Sequence, residues 1–280
     1  MELGPKLLDR YGLTQSKRLG QHFLFDRRIL DRIAGCAMPL SEASVVIEVG
    51  PGPCGLTSAI LEIICNPSRL YCIEKDIAFK ELHDDFAEEY PGKVGFIYGD
   101  ALEIRPNSVS ENNRIVIISN LPYNVGTKLL TNWLNDLDGI DKMILMFQEE
   151  VADRICAQPG TKEYGRLSII SQLLCDVEKL FDVPKGAFHP PPKVNSTVIK
   201  MVPKNQGLGK AVKNLQRLTE ICFQKRRKMI HTILRAKFRE ELIRDALEVC
   251  GISPTARPEE INPEQFLRMA MALGSTVCDS

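Results

Sequence analysis

Four consecutive residues, Asn120-Leu121-Pro122-Tyr123, combine the types that could activate an aromatic amine. The exocyclic amine of a base such as adenine is a poor nucleophile, because its lone pair is delocalised into the ring. Two oxygen acceptors aimed at its N–H groups would draw the nitrogen toward tetrahedral geometry and return that lone pair. The side-chain oxygen of Asn120 and the backbone carbonyl of Leu121 are candidates for the pair, with Pro122 fixing the turn. Tyr123 offers a face on which an extruded base can stack. No strong general base is required: the amine gains positive charge as a methyl group arrives and then sheds a proton to water. Such a transfer is mainly a matter of lining up nucleophile, carbon and leaving sulfur. Alone, N-x-P-Y reads as a strand-ending turn with a packed tyrosine; its place downstream of a cofactor-type loop gives the chemical reading its weight.

That loop is Glu48-Val-Gly50-Pro-Gly52-Pro-Cys-Gly55, which follows a strand signal and precedes a helical one. Glycines there let the backbone turn tightly and approach a ligand without a clashing Cβ. Glu74 closes the next strand roughly 20 residues beyond Gly50, where a carboxylate can accept both hydroxyls of a ribose. Gly50, Gly52 and Gly55 satisfy G-x-G-x-x-G, so a dinucleotide and S-adenosylmethionine, both adenosine-bearing, remain open on this feature. Two further features favour the methyl donor. Asp100, in Gly99-Asp-Ala101 after the third strand, is placed to accept from an adenine amine, and Pro51 and Pro53 stiffen a loop that a dinucleotide would require to wrap its pyrophosphate.

Positioning these groups requires strands alternating with helices. Ser44–Val49, Arg69–Glu74, Val94–Tyr98, Ile115–Ser119 and Met143–Phe147 have strand character, with helical spacing over Leu56–Cys65 and Ile77–Glu89. The alternation predicts an α/β fold with a mostly parallel sheet covered on both faces. Val194–Val202, after a Pro-Pro-Pro turn, would be a late strand at the sheet edge. Linker composition from Pro203 to about Gly209 then gives way to purely helical spacing at Ala211, Val212, Leu215, Leu218 and Cys222. The expected organisation is a methyl-donor-binding domain over 1–205 and a basic helical domain over 206–280.

Composition, with 44% hydrophobic and 26% charged residues, fits a folded globular chain rather than a disordered one. No apolar run approaches the roughly 18–20 residues that span a bilayer. The N-terminus lacks an apolar signal core, and Glu2 and Asp9 argue against a transit peptide, so a cytoplasmic location is expected. Nine cysteines without a C-x-x-C pair suggest neither a disulfide framework nor a metal site. The formal net charge is zero, yet from Lys204 to Arg239 eleven Lys/Arg residues face one acid, Glu220. That segment carries +10 and the remainder −10. Lys225-Arg226-Arg227-Lys228 lies at its centre and suits a phosphate backbone, whose contacts position a nucleic acid without reading its sequence.

GQHFL (Gly20–Leu24), EVGPG (Glu48–Gly52), IEKD (Ile73–Asp76), GDAL (Gly99–Leu102), NLPYN (Asn120–Asn124), YGRLS (Tyr164–Ser168), FHPPPKVNSTV (Phe188–Val198) and QKRRKMIHTIL (Gln224–Leu234) occur in this order. Over nearly its whole length the chain resembles the KsgA-type small-subunit ribosomal RNA adenine N6-dimethyltransferases. The resemblance implies a Rossmann-like class I methyltransferase fold with a seven-stranded sheet and a small C-terminal helical domain. It also implies S-adenosylmethionine as cofactor and dimethylation of two adjacent adenosines in a hairpin loop near the 3′ end of 16S rRNA, during assembly of the immature small ribosomal subunit. By position, His22 and Leu24 would join Gly50, Gly52, Glu74, Asp100 and Asn120 in the cofactor pocket. Asn120, Leu121, Pro122 and Tyr123 would hold the amine, and Phe188 would stack on the base opposite Tyr123. The chain departs from the family at His22, often Asn, and at Glu149, commonly Lys. A monomer is expected.

Three alternatives compete. A 23S rRNA methyltransferase conferring macrolide resistance shares the catalytic module, and the long match through the C-terminal domain argues against it. A dinucleotide oxidoreductase would leave Asn120–Tyr123 without a role. A non-catalytic assembly factor sits poorly with intact Asn120–Tyr123 and Glu74.

Overall fold

The computed structural model describes residues 4–16, 19–41, 44–64, 69–110, 114–204 and 210–274. Strand β1 is the short Phe23–Leu24; β2 (Ser44–Val49) is buried at every position. A strand apolar on both faces belongs inside a sheet covered on each side. Around β2 lie β3 (Arg69–Glu74), β4 (Val94–Tyr98), β5 (Arg114–Asn120) and β6 (Ile140–Gln148), followed in the chain by β7 (Cys175–Val183), β8 (Phe188–His189) and β9 (Ser196–Pro203). The main sheet runs β4-β3-β2-β5-β6-β9-β7, while β1 and β8 form a separate ribbon. Strands β2 to β6 pair in parallel, and β9 runs antiparallel to β6.

Helix α1 (Pro5–Arg10) precedes β1, and α2 (Arg27–Gly35), α3 (Gly55–Ile63), α4 (Lys80–Glu89), α5 (Pro106–Val109) and α6 (Gly126–Asn135) intervene between these strands. Asp26 caps α2 by accepting from the Arg28 and Ile29 amides, which satisfies orphan donors of its first turn. Winding reverses between β2 and β5, the switch point at whose carboxyl edge open α/β sheets bind ligands. Buried Ser119 Oγ donates to the Val49 carbonyl at 2.6 Å across that gap and ties the two strand ends together.

Two expectations need correction. Strand β9 lies between β6 and β7 rather than at the edge, and β7 takes the edge. The residues of β7, CDVEKLFDV, carry exposed polar positions between apolar ones, as an edge strand with one wet face should. The domain division also differs. One compact unit comprises Met1–Ala152 with Glu178–Pro203, the other Asp153–Val177 with Lys204–Ser280. The division at Lys204 falls beside the expected boundary, but 153–177 joins the helical unit instead of an undivided 1–205 domain. The expected linker lies largely outside the described residues, as do Cys65 and Cys278.

The helical unit contains the end of α7 (Glu149–Cys156), then α8 (Arg166–Leu174), α9 (Lys210–Phe223), α10 (Ile230–Leu234), α11 (Glu240–Val249) and α12 (Pro263–Leu273). Its core draws Tyr164, Ile169 and Leu173 together with Leu215, Leu218, Ile230 and Phe266. These contacts explain why 153–177 leaves the first unit. The buried Tyr164 hydroxyl donates to the Ile261 carbonyl at 2.8 Å, so the ring's polar tip is satisfied. Asn262 caps α12 through a reciprocal pair with Gln265. Among the described residues no helix is long and apolar enough to cross a membrane, and no three His, Cys, Asp or Glu side chains converge as metal ligands. Cys54, Cys72, Cys175, Cys222 and Cys250 are buried thiols, and burial raises the pKa of each, which suppresses the thiolate needed for reactivity.

Candidate functional site

A cavity in the first unit gathers His22, Leu24, Gly50, Gly52, Glu74, Asp100, Asn120, Leu121, Pro122 and Tyr123 on its walls. It opens at the carboxyl ends of β2, β3 and β5, so residues from distant stretches of chain converge because parallel strands end on one edge.

The glycine loop is a tight structure. Gly50 and Gly52 adopt φ of 71° and 49°, and a Cβ on Gly52 would sit 3.0 Å from the Phe23 ring. The Gly50 amide donates to the Ile73 carbonyl at 2.9 Å, the Gly52 amide to Glu74 Oε2 at 3.2 Å and the Cys54 amide to the Pro51 carbonyl at 3.0 Å. Pro51 and Pro53 have no N–H to give. Every backbone donor from Gly50 to Cys54 is therefore spent within the protein, so the loop ahead of α3 has none left for a pyrophosphate. This disfavours a dinucleotide. The loop suits a ligand without phosphates.

Glu74 is 5% exposed and accepts from the Gly52 amide and, through Oε1, from the Asp76 amide at 2.8 Å. Burial raises its pKa, and the amide donors pull it back. A carboxylate has about four lone-pair sites, so hydroxyl donors from a ribose could still be received, and they would favour the charged form. Asp100 is more open. It accepts from Lys75 Nζ at 2.6 Å and the Leu102 amide at 3.0 Å, and the lysine holds its carboxyl below the usual range. Glu48, also on the cavity wall, is 1% exposed and burial pushes it up to about 8 despite donation from the Thr57 hydroxyl at 2.7 Å. Lys75 and Glu48 were not assigned roles from sequence. Glu48 had a visible signal, an acid inside the apolar run SVVIEV.

The amine corner is built differently. Asn120 ends β5, and its Nδ2 donates to the His22 carbonyl at 3.3 Å. Since that carbonyl can only accept, the amide orientation follows from the contact, and Oδ1 is the end left for an incoming donor. Pro122's carbonyl accepts from the Val125 and Gly126 amides at 3.1 and 2.9 Å, closing the turn into α6. The Tyr123 hydroxyl pairs with Ser196 Oγ at 2.6 Å, and burial raises its pKa. The His22 ring lies 5.3 Å from the Tyr123 ring at 30°, and its Nδ1, facing the Pro190 carbonyl at 2.8 Å, must carry the proton.

Phe188 does not take the expected place. It pairs with Leu24 in the β1–β8 ribbon, is 4% exposed and packs in the hydrophobic core. Little of its ring is therefore open to an incoming base in this structure. Arg226 also departs from expectation: Nε and Nη2 both engage Glu259 Oε2, at 2.9 and 2.7 Å, and Nη1 donates to the Lys162 carbonyl. Those three bonds stitch the helical unit and pair the charge with Glu259. Lys225, Arg227 and Lys228 are exposed, as an electrostatic surface requires. Glu149 is the first residue of α7, where an acid complements the helix dipole and a lysine would oppose it.

The sequence profile of the family described as "Ribosomal RNA adenine dimethylase" matches residues 12–274. The chain belongs to the ribosomal RNA adenine dimethylase family. It is accordingly a methyltransferase of ribosomal RNA. A protein of Paramagnetospirillum magneticum named ribosomal RNA small subunit methyltransferase A is 42% identical over 275 residues, 98% of this chain and 95% of that protein. The crystal structure of a dimethyladenosine transferase from Plasmodium falciparum aligns with a TM-score of 0.78 at 24% identity, covering 91% of this chain and 98% of that one. That of the 23S rRNA methyltransferase ErmE aligns with a TM-score of 0.68 at 25% identity, covering 90% and 99%. The dimethylase therefore has the class I methyltransferase fold. Coverage through the C-terminal region does not separate small- from large-subunit enzymes, since ErmE matches there too.

Proposed function

We propose that this dimethylase binds S-adenosylmethionine in the cavity and methylates the N6 amine of two adjacent adenosines in a 3′-terminal hairpin loop of 16S rRNA. Its substrate would be the immature small ribosomal subunit, on which it acts as a cytoplasmic monomer. The observation that carries this reading is the contact of Asn120: its amide nitrogen donates to the His22 carbonyl, which leaves Oδ1 as the accepting end of a side chain that lines the cavity with Glu74 and Asp100. The 42% identity with a small-subunit enzyme along 98% of the chain supports that substrate over the large-subunit one.

The donor set fits the cofactor. Glu74 accepts the ribose hydroxyls, Asp100 accepts from the adenine amine, and Gly50 and Gly52 let the backbone approach. His22 and Leu24 close the near wall. Bound there, S-adenosylmethionine supplies an electrophilic methyl group. Asn120 Oδ1 and the Leu121 carbonyl take the two N–H groups of the target amine and return its lone pair, while Pro122 holds the turn and Tyr123 stacks on the base. The proton of the methylated amine goes to solvent. Lys225, Arg227 and Lys228 neutralise phosphates on the RNA.

Incubating the protein and S-adenosylmethionine with immature small and large subunits, followed by nucleoside mass spectrometry, tests the reading. N6,N6-dimethyladenosine in small-subunit RNA alone is expected. Modification of large-subunit RNA instead would overturn the substrate, and no transfer to either would overturn the activity.

A further inference from the structure

His83 lies in α4, outside the cavity wall, and is 0% exposed. Its Nε2 is 2.8 Å from the Gly52 carbonyl and its Nδ1 is 2.9 Å from the Tyr98 hydroxyl. A carbonyl can only accept, so Nε2 carries the proton; a neutral ring then leaves Nδ1 with a lone pair, and the Tyr98 hydroxyl donates to it. Burial holds the imidazole down, at about 4, against the opposing pull of the Gly52 carbonyl and Asp84, so the ring is neutral under ordinary conditions. Phe96 stacks on it at 4.2 Å and 11°, and Phe79 lies on it at 5.8 Å and 19°. The ring plane is thereby set by packing and its polar edges by hydrogen bonds.

The other end of Gly52 completes the arrangement. Its amide donates to Glu74 Oε2 at 3.2 Å, so this one residue is held on one side by the carboxylate and on the other by the imidazole. Pro51 and Pro53 flank it, and Phe23, which blocks any Cβ at Gly52, packs edge-on against Phe79 at 5.8 Å. A hydrogen-bonded relay thus runs from Tyr98 through His83 and the Gly52 backbone to the Glu74 carboxylate.

We propose that His83 is a positioning residue for the methyl-donor site, acting through Gly52 to fix the Glu74 carboxylate where it meets the ribose. The proposal rests on the reading of the cavity as the S-adenosylmethionine site. It predicts that losing the Nε2–H donor weakens donor binding without touching RNA recognition. His83→Phe keeps a ring between Phe79 and Phe96 and removes the donor. His83→Gln places an amide N–H near the original Nε2 and can restore it.

The test combines calorimetry of S-adenosylmethionine binding with steady-state methylation and nitrogen NMR of the histidines in the whole protein. For H83F we expect the Kd and KM for the donor to rise about tenfold, with kcat at saturating donor and the KM for RNA within about twofold, since a buried hydrogen bond to the loop is lost. H83Q should recover most of the affinity. In the wild-type spectrum, the His83 signal, assigned by its loss in H83Q, should show Nε2 protonated and Nδ1 bare. Wild-type donor affinity in H83F, equal losses in both variants, or a proton on Nδ1 would overturn the proposal. If H83F does not fold, a proton on Nδ1 in the wild type still overturns the proposal. A wild-type protein that binds no S-adenosylmethionine would instead sink the proposed function, and the tautomer would still report on the Gly52 contact.

Discussion

The two sides of the cavity, as assigned in the proposed function, are built from different groups. On the donor side stand carboxylates: Glu74, bonded to two backbone amides, and Asp100, paired with Lys75. On the amine side stand neutral oxygens, Asn120 Oδ1 and a peptide carbonyl, oriented by one bond to the His22 backbone. The difference matches the tasks proposed for them. Ribose hydroxyls and a cofactor amine are neutral groups that must be bound firmly and left unchanged, for which charge-assisted hydrogen bonds serve. The target amine must pass through a cationic transition state and then leave. Neutral dipoles preorganised around it stabilise developing charge, while a carboxylate there would also grip the charged product.

If that division holds, substitutions on the two sides separate kinetically. The largest effect is expected from Asn120→Ala. Single-turnover methyl incorporation should fall about 10²–10³-fold, or ~3–4 kcal/mol, while the Kd for S-adenosylmethionine measured by calorimetry stays within about threefold. Equal losses in both would break the comparison. Glu74→Ala should do the reverse, raising the donor Kd by about 100-fold, or ~2.7 kcal/mol, with a much smaller change in kcat at saturating donor.

Glu48 sharpens the comparison by pH. Its folded pKa of about 8 lies above the ordinary carboxylate value because burial penalises the charge. The neutral form is the one the fold prefers, so its contribution to stability is full below the unfolded pKa and is lost as pH rises toward 8. Glu48→Gln should therefore narrow the fall in melting temperature between pH 5.5 and pH 8, by a few degrees. An unchanged pH profile would show that Glu48 is not buried neutral. The smallest effect concerns the basic surface. Lys225→Ala should reduce the salt-dependence slope of RNA binding by about 0.7–0.9. Arg226→Ala should leave that slope intact and lower the melting temperature instead, because its donors hold Glu259 and Lys162.

Much of this was legible in the chain. The runs SVVIEV and RLYCIE and the glycines after the first of them have strand and loop signatures that depend on neighbours in sequence, and the structure forms β2 and β3 there. NLPY stood out because its residue types suit one chemistry at the end of a strand, and the structure puts all four residues on the cavity wall. What escaped depends on partners far along the chain. CDVEKLFDV carries no strong periodicity, and β7 is defined by its pairing with β9. The segment 153–177 reads as part of the first domain until Tyr164 and Leu173 are seen in the helical core. Arg226 looked like one more phosphate ligand, and Glu259, 33 residues away, takes it. Phe188 stands in a motif, yet its pairing with Leu24 buries the ring. His83 sits in an amphipathic helix like any inward residue, and only the approach of Gly52 gives it a task.

A structure of the protein with S-adenosylmethionine and a target hairpin RNA tests the central claim most directly. It should place the N6 of the flipped adenine about 2.7–3.2 Å from both Asn120 Oδ1 and the Leu121 carbonyl, facing the sulfonium methyl carbon with the leaving sulfur in line behind it. An amine lying beyond hydrogen-bond reach of either oxygen, or an Asn120 amide turned to present Nδ2, would contradict it.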